Sequence, residues 1–150
     1  MFITVKKKSI QFSLIFAVLM LAMIVVARTP ASEGELVRKY LKELGFGTEI
    51  YPVETSGITI PSKFNSTYQY YNELQCQAGF DLEMYKGVVC TRYTFVINSP
   101  QVLSGMKVNV LVENRKIIGG DIATENIDGV LLPLHDAQVL CEEKSRWSFN

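Results

Sequence analysis

The fold is decided by the stretch Pro61–Phe95, which reads PSKFNSTYQYYNELQCQAGFDLEMYKGVVCTRYTF. Its first half has apolar residues at three- and four-residue spacing, the period of a helix: Phe64, Tyr68, Tyr71 and Leu74. Its second half runs into a strand pattern with alternate apolar residues on one face: Val89, Tyr93, Phe95 and Ile97. A helical stripe and a strand face of this kind bury one another, so the stretch predicts a helix packed on a sheet.

Local residues predict where these two elements begin and end. Proline is favoured at the first helical position, so the helix is predicted to begin at Pro61 or Ser62. Gly79 fits the left-handed residue that ends a helix, and Asp81 can cap the single turn that follows. The strand is then predicted over Val88–Ile97.

Towards the C-terminus, the sequence predicts a hairpin and one further docking segment. Apolar and polar residues alternate from Met106 to Glu113, and Asn114-Arg115 fits a tight turn before a returning strand to Ala123. Gly119-Gly120 inside that strand indicates a bulge or a close backbone approach. The apolar run Val130–Leu134 is expected to dock on the core.

Towards the N-terminus, one helix and two short strands are predicted. Ser32 and Glu35 form a capping-box pattern, and the helical period continues to a stop at Gly45. Thr48–Val53 indicates an edge strand interrupted by proline, and Ile58–Ile60 a second extended piece.

Together these elements predict an α+β fold, with an antiparallel sheet of three to five strands and two helices packed on one face. Small extracytoplasmic modules of the cystatin-like or PepSY type have this architecture. The expected organisation has three parts: residues 1–31 with a basic start, membrane segment and link; residues 32–135 as the folded domain; and residues 136–150 as a polar tail.

The N-terminal segment predicts a membrane location. Ile10–Ala27 contains 18 residues of which only Gln11 and Ser13 are polar, and a helix of that length is about 27 Å long. Three consecutive lysines, Lys6 to Lys8, precede it and predict a cytoplasmic N-terminus with the domain outside the cell membrane. The alternative is a cleaved signal peptide and a secreted domain.

Charge excludes one class of function. The whole chain has 15 basic and 15 acidic residues, and three of the basic ones precede the membrane segment. The remainder is therefore mildly acidic, without the clustered lysine and arginine that nucleic-acid binding requires.

The chain resembles a bacterial family, the domain-of-unknown-function family numbered 4830, whose members are short proteins with an N-terminal membrane segment. The resemblance covers roughly residues 45–134 and rests on these motifs: Ile60-Pro61, Phe64, Tyr71-Asn72-Glu73-Leu74-Gln75, Gly79-Phe80-Asp81-Leu82, Tyr85-Lys86-Gly87, Arg92-Tyr93-Thr94 and Ile118-Gly119-Gly120-Asp121. It implies no established activity. The bacteria in which the family occurs favour reduced cysteines, with a bridge between Cys76 and Cys90 as the alternative.

Few residues are candidates for chemistry. The single histidine, His135, is expected to have a surface or docking role, and Asp81, Asp121 and Asp128 have no calcium-loop spacing. Arg92 is expected to face a Glu or Asp across the sheet.

The predicted function is therefore a non-enzymatic binding or regulatory module for another envelope protein, with no cofactor and no metal. The binding residues are expected to be Tyr70, as an exposed aromatic contact, with Asp81, Arg92 and Asp121 lining a polar groove. The alternative is a small-ligand or metal-binding sensor, or a small hydrolase, that uses the same groove.

Overall fold

A computed structural model describes residues 15–16, 18–20, 32–100, 103–124 and 131–140. The chain divides into two units, Met1–Ala31 and Ser32–Asn150. In the first unit, the described residues are helical. Most of the predicted membrane segment, together with Asp128 and Cys141, lies outside the described residues. In the parts of the chain that are described, no helix combines the length and apolar composition needed to cross a membrane.

The described part of the second unit is an α+β domain with one antiparallel sheet of six strands, two α-helices and a further helical stretch at residues 137–140. The elements in chain order are α1 (Glu33–Glu43), β1 (Gly47–Thr48), β2 (Glu54–Thr59), α2 (Ser66–Gln77), a 3-10 turn (Leu82–Tyr85), β3 (Val89–Ser99), β4 (Lys107–Glu113), β5 (Lys116–Ala123) and β6 (Leu131–Pro133). The α+β class is confirmed, whereas the predicted three to five strands were too few. The additional strand arises because Leu131–Pro133 pairs with β5 instead of docking as a loop.

The long strand β3 organises the sheet, whose order is β1-β3-β4-β5-β6. On one side β3 pairs with β4, and on its other side it pairs with β2 along its first half and with β1 near its end. In the described residues, β2 is therefore an edge strand.

Two separate cores show that the helices cover opposite faces of the sheet. Val37 and Leu41 of α1 are buried in a cluster with Val108 and Val110. Tyr68 and Tyr71 of α2 pack instead against a second cluster: Ile60, Leu82, Cys90, Leu111 and Ile118. Successive residues of a strand point to opposite faces of the sheet, so Val110 faces the α1 layer and Leu111 faces the α2 layer. The prediction that both helices pack on one face was wrong, because the central strands are apolar on both faces.

Several predicted ends and turns are confirmed. Ser32 and Glu35 form a reciprocal capping box at the start of α1. After α2, Gly79 has a φ of 82°, and the Phe80 N–H donates to the Gln75 carbonyl in a Schellman stop. Asn114 and Arg115 both have positive φ in the β4–β5 turn.

Two predicted boundaries were wrong. Helix α2 begins at Ser66 and not at Pro61, because the Asn65 side chain accepts a hydrogen bond from the Tyr68 N–H and fixes the cap there. The predicted edge strand Thr48–Val53 also differs from the structure, because Pro52 lies in the loop before β2 and not in a strand.

The C-terminal boundary of the domain also extends further than the predicted residue 135. Ala137 and Leu140 are buried in the core that α1 covers. The first residues of the predicted polar tail therefore belong to the packed domain, and residues 141–150 lie beyond the described part.

Candidate functional site

A row of polar side chains crosses the middle of the sheet on the α2 face. The strand register places Thr94 of β3 opposite Asn109 of β4, and Asn109 opposite Asp121 of β5. The Thr94 hydroxyl donates to Asn109 Oδ1 at 2.8 Å, and Asn109 Nδ2 donates to Asp121 Oδ1, also at 2.8 Å. The three side chains form one hydrogen-bonded chain across three strands.

Helix α2, which covers this face of the sheet, adds one more hydrogen bond to the row. The Tyr71 hydroxyl donates to the second oxygen, Asp121 Oδ2, at 2.7 Å. Only 5% of Asp121 is exposed, and each of its oxygens accepts a hydrogen bond. Burial raises the pKa of the Asp121 carboxyl, while the hydrogen bonds from Asn109 and Tyr71 and the nearby Arg92 charge oppose that rise. Burial likewise raises the pKa of the Tyr71 phenol.

A second contact from α2 meets the glycine pair of β5. Gln75 is fully buried, and its Oε1 accepts a hydrogen bond from the Gly120 N–H at 2.8 Å. The same oxygen lies 2.8 Å from where a Cβ on Gly119 would be. The predicted bulge is confirmed, because the β4–β5 register shifts between Leu111 and Val112, and the close approach beside Gly119 comes from the Gln75 side chain.

The polar row holds α2 onto the sheet. Tyr71 and Gln75 lie one helical turn apart, and both of their polar groups are directed into β5. Through its hydrogen bonds with Asn109 and Tyr71, Asp121 joins β4, β5 and α2 to one another.

We expect Asp121 to make stability depend on pH. A carboxyl whose pKa is higher in the folded than in the unfolded state stabilises the fold fully below its unfolded pKa of about 3.9, and this contribution is lost as pH rises through the folded pKa. The Asp121→Asn variant can keep the hydrogen bonds if the Asn109 amide flips. Urea unfolding of both proteins should show that wild type gains stability relative to Asp121→Asn as pH falls from about 7 to about 4. Parallel pH profiles would contradict this assignment.

Arg92 lies on the same face, nearer the edge of the sheet. Its guanidinium forms an ion pair with Glu54 of β2 at 2.8 Å, and the hydrogen bond from Arg92 lowers the pKa of Glu54. The expectation that Arg92 faces an acidic residue across the sheet is confirmed. Both side chains are substantially exposed, so the pair contributes little to stability.

The other two candidate residues lie on α2 and at the start of the 3-10 turn that follows it. Asp81 Oδ1 accepts a hydrogen bond from the Glu83 N–H at 2.9 Å and one from the Asn72 amide at 3.2 Å, which confirms its role as a cap. Tyr70 is 64% exposed and lines a pocket of about 250 Å³ with His135 between α2 and β6. The structure thus places Arg92 and Asp121 on the same face of the sheet, Tyr70 on α2 and Asp81 at the cap of the 3-10 turn.

No metal centre is formed by the residues that the structure describes, where no group of three or more His, Cys, Asp or Glu side chains could hold an ion. Cys76 and Cys90 are both free. Cys76 is exposed, whereas burial raises the pKa of the Cys90 thiol.

The outer edge of β2 is an open edge of the described sheet. The Ile60 N–H donates to the Val88 carbonyl at 2.9 Å. Because alternate residues of an antiparallel strand bond to the neighbouring strand, this bond shows which residues of β2 bond to β3. By that alternation, even-numbered residues of β2 bond to β3, and the N–H and C=O groups of Thr55, Gly57 and Thr59 point away from it. All three residues are exposed, and no described strand pairs with this edge.

Sequence reasoning missed Asn109, Thr94 and Gln75 as members of the buried network. A usable indication was present, because Asn109 and Asp121 each stand within otherwise apolar or glycine-rich strands. The run Val110-Leu111-Val112 also indicates a strand buried on both faces, and a polar residue there must find a protein partner.

The fold and site define a small α+β domain with a buried polar row across its sheet and an exposed edge along β2. A family model described as Domain of unknown function (DUF4830) matches residues 40–122, which is more than half of the chain. The protein belongs to this family, and the resemblance drawn from its motifs is confirmed. No curated protein and no solved structure matches the chain.

Proposed function

We propose that this protein is a non-enzymatic, membrane-anchored extracytoplasmic module that binds an extended segment of another envelope protein at the outer edge of β2. The observation that carries the proposal is the row of outward backbone groups on Thr55, Gly57 and Thr59. An extended peptide can add a strand to such an edge through main-chain hydrogen bonds.

The composition of β2 supports this use of the edge. Sheets usually protect an open edge with lysine, proline, a bulge or a very short strand. β2 has six residues, contains neither lysine nor proline, and pairs with β3 in an unbroken register. Its one charged side chain belongs to Glu54, the first residue of the strand, and forms an ion pair with Arg92.

The location in the proposal comes from the sequence. The apolar segment Ile10–Ala27 is long enough to span the hydrocarbon core, and the lysines before it favour a cytoplasmic N-terminus. A domain outside the membrane would meet the extracytoplasmic segments of other envelope proteins.

Site-specific photocrosslinking in the native host tests the proposed edge. The full-length chain carries the crosslinking residue at Thr59, either alone or combined with Thr55→Pro or Thr55→Val. Proline at Thr55 removes an outward N–H without removing a hydrogen bond to β3. We expect one reproducible envelope-protein adduct, lost with Thr55→Pro and retained with Thr55→Val. An adduct that persists with Thr55→Pro would contradict strand addition.

The second candidate function is small-ligand binding, and the pocket beside Tyr70 is the observation that favours it. Glu73, Gln77 and His135 provide polar groups around an apolar floor formed by Leu74 and Leu132. A crosslinking residue at Tyr70 provides the corresponding probe. Capture of a protein from Thr59 but not from Tyr70 would favour the strand-addition proposal over this alternative.

A further inference from the structure

The loop between β1 and β2 exposes three apolar side chains in a row of four residues. Ile50 is 69% exposed, Tyr51 78% and Val53 55%, with Pro52 between them. Isolated exposed apolar residues are common, but a cluster at one loop tip marks a contact surface.

This loop lies beside the beginning of α1. Ile50, Tyr51 and Pro52 line a pocket of about 200 Å³ together with Ser32, Gly34, Glu35 and Arg38. The loop tip and the first turn of α1 therefore belong to the same end of the domain.

Only a short covalent link joins the beginning of α1 to the apolar N-terminal segment. Four residues, Arg28 to Ala31, separate Ala27 from Ser32. Ala27 and Ser32 are therefore five Cα–Cα steps apart, and even a fully extended link spans only about 18 Å. If Ile10–Ala27 spans the membrane, Ser32 lies within that distance of the hydrocarbon boundary, so the end of the domain that holds Ser32 can reach the headgroup region.

We infer that Ile50, Tyr51 and Val53 form a membrane-contact loop that inserts into the outer headgroup region of the bilayer. The inference rests on the proposed membrane anchor and not on strand addition at β2. A tyrosine with a polar hydroxyl and an apolar ring suits the interface, and the two aliphatic side chains gain from leaving water. Arg38, at the same pocket, is placed to meet a lipid phosphate.

Tryptophan fluorescence of the full-length chain in vesicles tests the inference. Trp147 is the only native tryptophan, so a Trp147→Phe background leaves one reporter, placed by Tyr51→Trp. The vesicles contain phosphatidylcholine with a minor fraction of phosphatidylglycerol, with and without bromine on the upper acyl chain. The matched control is Tyr70→Trp, which replaces another exposed tyrosine on α2.

We expect the Tyr51→Trp emission to shift to shorter wavelength and to be quenched by the brominated lipid, while the Tyr70→Trp emission keeps its water-exposed wavelength and intensity. Unquenched Tyr51→Trp emission in a chain that floats with the vesicles would overturn the loop proposal and leave the anchor intact. A chain that does not float with the vesicles would overturn both. Because the vesicles contain no other protein, quenching there assigns the contact to lipid.

Discussion

Replacing Phe95 with alanine is expected to lower the free energy of unfolding by about 3–5 kcal/mol, the range for losing a buried phenylalanine from a packed core. Phe95 is fully buried in the middle of β3, directly opposite Val108, in the cluster that α1 covers. Its removal leaves a cavity between α1 and the strand to which three other strands are paired. Urea denaturation monitored by far-ultraviolet circular dichroism measures the loss.

The matched control for Phe95→Ala is Val89→Ala on the same strand. Val89 is 69% exposed, and substitutions at such positions usually change stability by no more than about 0.5 kcal/mol. Equal effects of the two substitutions would show that Phe95 is not the centre of this core.

Replacing Gly120 with alanine is expected to destabilise the domain by about 3 kcal/mol, at the upper end of the usual cost of overpacking. A Cβ there would collide with the Leu134 side chain and lie 2.8 Å from the Asn109 carbonyl oxygen. The side chain can adjust, but the carbonyl belongs to the neighbouring strand and cannot move without distorting the sheet. The Gly120 N–H is also the group that binds Gln75 of α2. The midpoint of urea unfolding provides the measurement.

The control for Gly120→Ala is Gly57→Ala on β2. A Cβ at Gly57 meets nothing within 4 Å, and its φ lies outside the left-handed region. Alanine there restricts the unfolded chain, so it should be neutral or stabilise by up to about 1 kcal/mol. If both glycines tolerate alanine equally, the close packing at β5 is not rigid.

Local features of the fold could be predicted from the sequence because short-range chemistry determines them. The capping box at Ser32, the glycine stop at Gly79 and the turn at Asn114-Arg115 each depend on residues within a few positions. The start of α2 was misplaced because proline and asparagine both favour helix starts, and only the structure shows that Asn65 is the cap.

The layer arrangement could not be predicted in the same way. Helix α2 has aromatic residues around much of its circumference, so its pattern does not select one face of the sheet. Strands β4 and β5 bury residues on both faces, which makes the alternation of apolar and polar residues incomplete. The assignment of both helices to one face failed at this step.

Contacts in the candidate site could be predicted only where the residue type itself favours one kind of partner. Arg92 on a strand needed an acidic neighbour, and Glu54 provides it. Asp121 instead depends on Asn109 and Tyr71, whose proximity requires the strand register and the position of α2. Sequence spacing gives neither the strand register nor the position of α2. The polar groove that was expected to include Asp81 could therefore not be predicted correctly.

The position of β3 has a consequence for the order in which the domain folds. β3, β4 and β5 follow one another along the chain and pair as neighbours, so their loops close over short distances. β1 and β2 must return from the first half of the chain, past α2, to reach the far side of β3. Closing longer loops costs more entropy, so we expect the β3–β5 meander to form first and β2 to join late. A folding chain would therefore expose the flank of β3 until β2 covers it, and in that interval β3 could pair with another chain.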